Sequence, residues 1–336
     1  LCGGAARPAF GGGEVTAPME IHLTGRVTRD AGLAIIPVED IAIQACREVL
    51  GEHVRALDLD RHVRIFPHFH AGSADLTELF SRAPAARAPL ANDTSIGTGF
   101  APRTDLERVV MAAERALCAS DTKRRCPAIG DDVKVMGVRT GGRITLTVAC
   151  AMIGRYLADE SAYLAAKLTA AEVVQAAAAG ETPLVVDVLV NAADDPARGS
   201  LYLTVTGTSA EAGDDGEVGR GNRASGLITP YRLMTLEAVA GKNPVTHVGK
   251  LYPLVAERIA VRLCSERPEI ASAECLLVSR IGHPVTDPLL ADVMLTLRDP
   301  KSTMPGVEEV EPVVRSVLAS LPALRDDVLA ARIRIS

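Results

Sequence analysis

The sequence predicts an α+β fold, on three observations. Segments with strand and helix periodicity alternate along the chain. The strand segments fall mostly into hairpins or meanders rather than strict βαβ units. At 336 residues and 48% hydrophobic composition, the chain is long enough for two or three lobes with their own cores, since single cores stop growing near roughly 250 to 300 residues. In order, the first clear helix is Asp105 to Cys118, where Asp105 and Glu107 favour the dipole of the first turn. Val133 to Val138 and Arg143 to Ala151 read as a hairpin around Thr140, Gly141 and Gly142, the glycines supplying positive φ. Ser161 to Ala179, rich in alanine and leucine, is a second helix. Leu184 to Asn191 and Leu201 to Gly207 read as a second strand pair, joined by the acidic turn Asp194, Asp195, Pro196. Tyr252 to Cys264 and Val307 to Leu321 are further helices. Polar or glycine-containing connections near 118–126 and 226–240 interrupt these segments. There is no tandem repeat, although strand pairs and helices recur in three successive stretches.

Composition excludes several function classes. A net charge of -6 and a pI near 5.7 offer no basic face for nucleic acid. Aromatic residues make up 3% with no tryptophan, too few for base-stacking platforms. Seven cysteines (Cys2, Cys46, Cys118, Cys126, Cys150, Cys264, Cys275) are odd in number, scattered, and free of Cys-x-x-Cys pairs, which points to buried thiols and a cytoplasmic location. No apolar run reaches the roughly 18 residues of a membrane helix, so a soluble protein with no membrane partner is expected. The chain opens at Leu1 rather than methionine, as a fragment or a processed form would.

The most informative stretch is Thr204 to Lys250, a strand followed by a glycine-rich segment in which acids precede Arg220, Arg223, Lys242, His247 and Lys250. Glycines let backbone amides approach an anion, acids hold a divalent metal, and guanidinium and ammonium groups neutralise phosphate oxygens. The combination suits a nucleotide or other polyphosphate. Upstream, GDDVK (Gly130 to Lys134) opens a strand and sets Asp132 and Lys134 two residues apart on one side. That pair reads either as a phosphate and metal site or as a solvated surface ion pair. Asp214 and Asp215 likewise fit either metal ligation or an Asp-Gly turn.

Other motifs fail on spacing. Lys242 follows Gly241, but Leu236 and Asn243 break the phosphate-loop pattern, and Gly219-x-Gly221 lacks the third glycine of a dinucleotide fingerprint. His68 and His70 share a strand face without a recognisable third zinc ligand, and read as a hydrogen-bonded or exposed pair. Ser209 lies outside a nucleophile elbow.

Four segments in sequence, PLANDTSIGTGFAP (Pro89 to Pro102), PAIGDDVKVMGVR (Pro127 to Arg139), VNAADDPARG (Val190 to Gly199) and Tyr202 to Lys250, resemble the archaeal-type methionine adenosyltransferases, or S-adenosylmethionine synthetases, in order over nearly the whole chain. The resemblance implies an enzyme joining L-methionine to ATP, with release of phosphate and pyrophosphate and the use of Mg2+ and K+. It implies three similar β-α-β-β-α-β-type lobes about a pseudo-threefold axis, here expected at 1–120, 121–235 and 236–336, and a homodimer with active sites at the interface. By resemblance, Lys134, Arg223 and Lys242 contact the triphosphate, Gly130, Asp131 and Asp132 seat the nucleotide, and Asp93 orients methionine or adenosine. His247 and Lys250 complete the phosphate pocket. Gly72, Ser73 and Asp75 match a nucleotide-binding segment, while Asp214, Asp215, Glu217 and Glu14 are the metal or cation candidates.

The departures bear on activity. The family's N-terminal Gly-His-Pro-Asp motif does not occur in this sequence, which begins at the family's FGGG region. His70 and Ala71 replace a usual Gly-Gln pair, and Ser225, Leu233 and Pro253 stand where asparagine, proline and asparagine are common. None removes a phosphate-binding cation. Two further readings follow: a noncatalytic paralogue that regulates a complete synthetase, and a general polyphosphate enzyme such as a phosphotransferase.

Overall fold

The computed structural model describes residues 1–27, 29, 35–72, 89–216, 223–227, 231–235, 237–333 and 335. Its elements run β1 (Ala5–Ala9), β2 (Gly12–Ala17), β3 (Met19–Arg26), α1 (Val38–His53), β4 (Val63–His70), β5 (Ile96–Ala101), α2 (Asp105–Cys118), α3 (Ser120–Arg125), β6 (Ile129–Thr140) and β7 (Arg143–Ile153). They continue with α4 (Glu160–Ala179), β8 (Val185–Val190), β9 (Leu203–Thr204), α5 (Val248–Glu266), β10 (Ile270–Val278), β11 (Leu290–Leu297), α6 (Val307–Ala319) and α7 (Leu321–Leu329). Two compact units result, Leu1–Gly72 with Thr104–Glu217 and Ser73–Arg103 with Val218–Ser336. Each draws on separated stretches of chain, whereas the expected divisions at 1–120, 121–235 and 236–336 are continuous. The reason is β5, an early strand whose ladder partner is the late strand β10, from Ala101↔Ala273 to Ile96↔Val278.

In the first unit the expected hairpin forms: β6 and β7 pair antiparallel from Val133↔Cys150 to Thr140↔Arg143, closed at Gly141 with φ of 58°. Helices α2 and α4 cover the β6–β7–β8 sheet, burying Val109, Ala113 and Leu117 against Ile144, Leu146, Val148, Tyr163 and Val174. Helix α2 occupies the predicted residues. Its start is set by a capping box in which the Thr104 hydroxyl accepts the Glu107 amide while Glu107 accepts the Thr104 amide. In α4, which Asp159 caps, Tyr163, Ala166, Ala170, Val173, Val174 and Ala178 repeat at helical spacing and face the sheet.

The second expected strand pair does not form. Both β8 and β9 run parallel to β7 and pair with it, not with each other. Asn191 leaves β8 at φ 44° and turns its amide back to the Cys150 backbone, accepting from N at 2.8 Å and donating to O at 3.0 Å. Asp194, nearly buried, accepts from Tyr163 Oη, Lys167 Nζ and the Tyr202 amide at 2.8, 2.7 and 3.0 Å. The acidic turn is thus held down onto α4, and its two flanking segments never become a hairpin. A smaller sheet pairs β3 with β4 in parallel, connected through α1.

The second unit is an antiparallel β11–β10–β5 sheet under α5, with α6 and α7 packed beyond. Helix α5 is longer than the predicted Tyr252 to Cys264 and nearly continuous in its burial, with Val248, Leu251, Val255, Ile259 and Leu263 fully covered. The predicted helix Val307 to Leu321 is instead two helices meeting at Ser320. Pro322, without an amide proton, falls in the first turn of the second, where proline is well accommodated.

Gly97 and Gly99 decide how α5 sits. A Cβ on Gly97 would overlap the Tyr252 side chain, and one on Gly99 would overlap the Glu257 backbone nitrogen. Neither obstacle is a flexible chain end. Gly99→Ala is therefore expected to force the helix from the strand at a cost of about 1–3 kcal/mol, read from urea denaturation; an unchanged midpoint would show that the approach is not limiting.

Candidate active site

In the first unit, GDDVK opens β6 at a register irregularity, because Ile129 pairs with Met152 and regular pairing resumes at Val133. A Cβ on Gly130 would overlap the Ala151 carbonyl oxygen. One carbonyl, Gly207 O, accepts the amides of both Asp131 and Asp132, at 3.1 and 3.0 Å. The two acids then go to different partners. Asp131 accepts from the Arg55 backbone amide and Nε at 2.9 and 3.0 Å, with Lys123 Nζ at 3.5 Å, and its side chain is only 12% exposed. Expected at the nucleotide, Asp131 is committed instead to an internal ion-pair group.

Asp132 Oδ2 accepts the Ser209 amide at 2.9 Å and hydroxyl at 2.5 Å. Burial and then the Asp132 charge push the Tyr202 phenol up to about 12. Lys134 is exposed, and its Nζ lies 3.5 Å from Asp214 Oδ2, while Asp215 Oδ1 accepts the Gly3 amide at 2.6 Å. Lys134 and Asp214 are both exposed, so a solvent-borne ion can reach either. Gly72 is exposed just past β4, and Ser73, Asp75 and Glu217 lie outside the described residues.

Glu14, proposed for a cation, sits opposite Arg7 on the β1–β2 hairpin with charged atoms 3.6 Å apart and both side chains well exposed. It is a cross-strand surface pair. His68 meets His22 across β3 and β4, ring nitrogens 3.2 Å apart, in keeping with the hydrogen-bonded reading. Among the described residues, no group of three or more His, Cys, Asp or Glu side chains is arranged to hold a metal ion. All seven cysteines are unbridged. No helix among the described residues is long and apolar enough to cross a membrane.

In the second unit the candidate residues gather at the start of α5. His247 is the N-cap, its Nδ1 accepting the Gly249 amide at 3.1 Å, and Asn92 Oδ1 accepts the Val248 amide at 3.2 Å. Lys250 falls in the first turn. Asp93 follows Asn92 in the NDTS turn, where its Oδ1 accepts the Thr94 amide at 2.7 Å and its carbonyl accepts the Ser279 hydroxyl at 2.8 Å. Motif reading missed the acid at the centre, Glu237, whose carboxylate accepts the Ser95 hydroxyl and lies 3.2 Å from Lys242 Nζ and 3.9 Å from His247 Nε2. The only sequence signal for it is one carboxylate set five residues before a lysine in a basic stretch.

Arg223 lies in the same unit, lining a small cavity over β5 with Thr98, Phe100, Leu233 and Pro253. The Arg232 guanidinium lies 4.1 Å over the Phe100 ring and donates to the Pro102 carbonyl at 3.2 Å.

Electrostatics follow from this burial. Loss of water raises the Glu237 carboxyl, but the Ser95 and Lys242 hydrogen bonds and the charges of His247 and Lys242 together outweigh it and leave it below the ordinary range. Burial pushes His247 down, against the pull of Glu237, and burial followed by the neighbouring Lys242 lowers Lys250. A neutral His247 that accepts at Nδ1 carries its proton on Nε2. The cluster therefore offers an imidazole N–H and two ammonium groups to an incoming anion, with Glu237 as the internal counter-charge.

Because His247 and Glu237 bind protons less readily folded than unfolded, their stabilisation is complete above the ordinary values of 6.5 and 4.5. It is lost as pH falls through the folded ones. Urea midpoints are expected to decline from pH 7.5 to 4, and His247→Gln should reduce the part of the decline just below neutrality, to which His62 also contributes. Identical profiles for the two proteins would remove His247 from the linkage.

Comparison with known proteins agrees with this architecture. The S-adenosylmethionine synthetase (AdoMet synthetase) family profile matches residues 1–332. A probable S-adenosylmethionine synthase of Aquifex aeolicus is 48% identical over 324 residues, covering 96% of this chain and 80% of the relative. The S-adenosylmethionine synthases of Pyrobaculum neutrophilum and Pyrococcus horikoshii are 45% and 43% identical, each covering 100% of this chain and 84% and 83% of their own lengths. Among solved structures, an unusual S-adenosylmethionine synthetase from Campylobacter jejuni shares the fold at a TM-score of 0.55 and 12% identity, over 95% of this chain and 79% of that one. With the α+β architecture and the basic cluster at the head of α5 in place, the chain belongs to the S-adenosylmethionine synthetase family.

Proposed function

We propose that this chain is a methionine adenosyltransferase, converting ATP, L-methionine and water to S-adenosylmethionine, phosphate and pyrophosphate, the water cleaving the released triphosphate. The observation that carries the reading is the Lys242, His247 and Lys250 cluster at the α5 N-terminus, within a chain 43–48% identical to S-adenosylmethionine synthases.

The methionine sulfur is an uncharged nucleophile. Its lone pair forms the S–C5′ bond as the C5′–O bond breaks, and the electron pair leaves with the triphosphate. Little proton transfer is needed, so the chain's contribution is alignment and charge neutralisation. Alignment can supply on the order of 7–11 kcal/mol, and preorganised donors at the departing oxygens about 3–4 kcal/mol each. Lys242, Lys250, Arg223 and the Nε2–H of His247 take the phosphate oxygens; Lys134 and Asp132 are the nucleotide contacts that the family resemblance assigns. Asp93, exposed beside the cluster, orients methionine or the adenosine. The α5 N-terminus adds a favourable dipole for an anion.

Mg2+ and K+ are the ions the family resemblance implies. A metal on the triphosphate would neutralise its charge, and the described carboxylates suit one or two contacts rather than a full cage; Asp214, paired with Lys134, is exposed. We also assign a homodimer and a cytoplasmic location, the latter in keeping with seven unbridged cysteines. A three-lobe plan is supported by recurring sheet-and-helix groups, β3–β4 with α1, β6–β7–β8 with α2 and α4, and β5–β10–β11 with α5 and α6, with β5 and α2, both inside 1–120, belonging to the third and second groups.

Lys242→Ala and Arg223→Ala are each expected to lower kcat/KM for ATP by about 10²–10³-fold, or about 3–4 kcal/mol. The assay follows S-adenosylmethionine and phosphate release together. Wild-type turnover in both variants would sink the site assignment, while phosphate release without S-adenosylmethionine would favour a general polyphosphate enzyme.

A further inference from the structure

We infer that Glu237 is a positioning residue, the carboxylate that sets both phosphate-binding groups, Lys242 and His247, in place; this rests on the synthetase reading above. Its two oxygens are divided. Oε1 accepts the Ser95 hydroxyl, while Oε2 faces Lys242 Nζ at 3.2 Å and His247 Nε2 at 3.9 Å. Ser95 is itself fixed, because its amide donates to Ser279 Oγ at 2.8 Å, and the same hydroxyl donates to the Asp93 carbonyl. One chain of hydrogen bonds therefore links the turn that carries Asp93 to the carboxylate that orients the cations.

Space for the carboxylate is reserved. A Cβ on Gly249 would lie 2.5 Å from Glu237 Oε2 and 3.0 Å from Lys242 Cε, so a side chain at this helical position would push the pair out of its present placement. Lys242 has three donors, of which Glu237 takes one and two remain for phosphate oxygens. Lysine is flexible, and a phosphate site gains when its rotamer is held before the substrate arrives. His247 is restrained from both sides, by the Gly249 amide at Nδ1 and by the Glu237 charge near Nε2. Glu237 needs no contact with substrate to act.

The test uses Glu237→Gln, which keeps shape and hydrogen bonding but removes the charge, with Glu237→Asp as a second variant. Both are made alone and with Lys242→Ala. Calorimetric titration with inorganic tripolyphosphate measures anion binding without turnover, and steady-state assays give kcat and KM for each substrate. Glu237→Gln should weaken tripolyphosphate binding and lower kcat/KM for ATP at least tenfold, leaving KM for methionine within twofold. In the Lys242→Ala background the same change should cost less than twofold, because the group it positions is gone. The His247 titration midpoint, followed by NMR, should fall when the Glu237 charge is removed. Equal losses in the two backgrounds, or wild-type affinity and kcat/KM in Glu237→Gln, would overturn the inference while leaving the synthetase intact. If Glu237→Gln does not fold, Glu237→Asp decides: partial activity with retained coupling to Lys242 supports the role, and uncoupled loss refutes it. An unsubstituted chain that neither binds tripolyphosphate nor forms S-adenosylmethionine would instead remove the synthetase reading, and this inference with it.

Discussion

The close seat of α5 on β5 is the constraint on which the second unit depends. With glycine at 97 and 99, the strand lets the helix backbone approach where any side chain would meet Tyr252 or Glu257. The helix then buries Val248, Leu251, Val255 and Ile259, each contributing about 1.5–3 kcal/mol relative to exposure. Its N-terminus is carried to the NDTS turn. Asn92 caps one amide, His247 another, and Lys250 falls in the first turn. Apolar packing along the helix thus determines where polar groups at its end can act. A phosphate site placed on a long, buried helix has little freedom to drift.

A second theme is how the chain spends its carboxylates. Burying a charge is costly unless it is paired and hydrogen-bonded, and several acids here are used for that purpose. Asp131 closes on Arg55 and Lys123. Asp194 gathers Tyr163, Lys167 and the Tyr202 amide. Glu211, 1% exposed, accepts the amides of Val205 and Thr206 and the Thr206 hydroxyl. These acids organise loops in the first unit. Glu237 is of the same kind, but its partners are groups suited to an anionic substrate, and that difference gives it a part in binding.

Much of the fold could be read from local pattern. Helix α2 lies on its predicted residues because its amphipathic spacing and its Thr104–Glu107 cap agree. The β6–β7 hairpin follows from two glycines between strand segments. The supposed hairpin at Asp194 failed because Asn191 and Asp194 bond to β7, α4 and Tyr202 rather than locally, and such partners are invisible in a window of neighbours. The break at Ser320 was legible in principle from Pro322. Within the candidate site, Asp131, Asp132 and Lys134, close together in one motif, diverge to a buried ion pair, a serine and a solvent-facing aspartate. The irregular start of β6 separates them.

The order of residues alone determined the family and the alternation of helix and strand, since these depend on composition, short-range spacing and motif order. Tertiary structure decided the pairing of β5 with β10, the parallel placement of β8 and β9, and the choice of Glu237 as the partner of Lys242 and His247. Those outcomes rest on partners distant along the chain, more than a hundred residues apart for Ser95 with Glu237 and Asn92 with Val248. Burial sets their energies, and only the folded chain specifies burial.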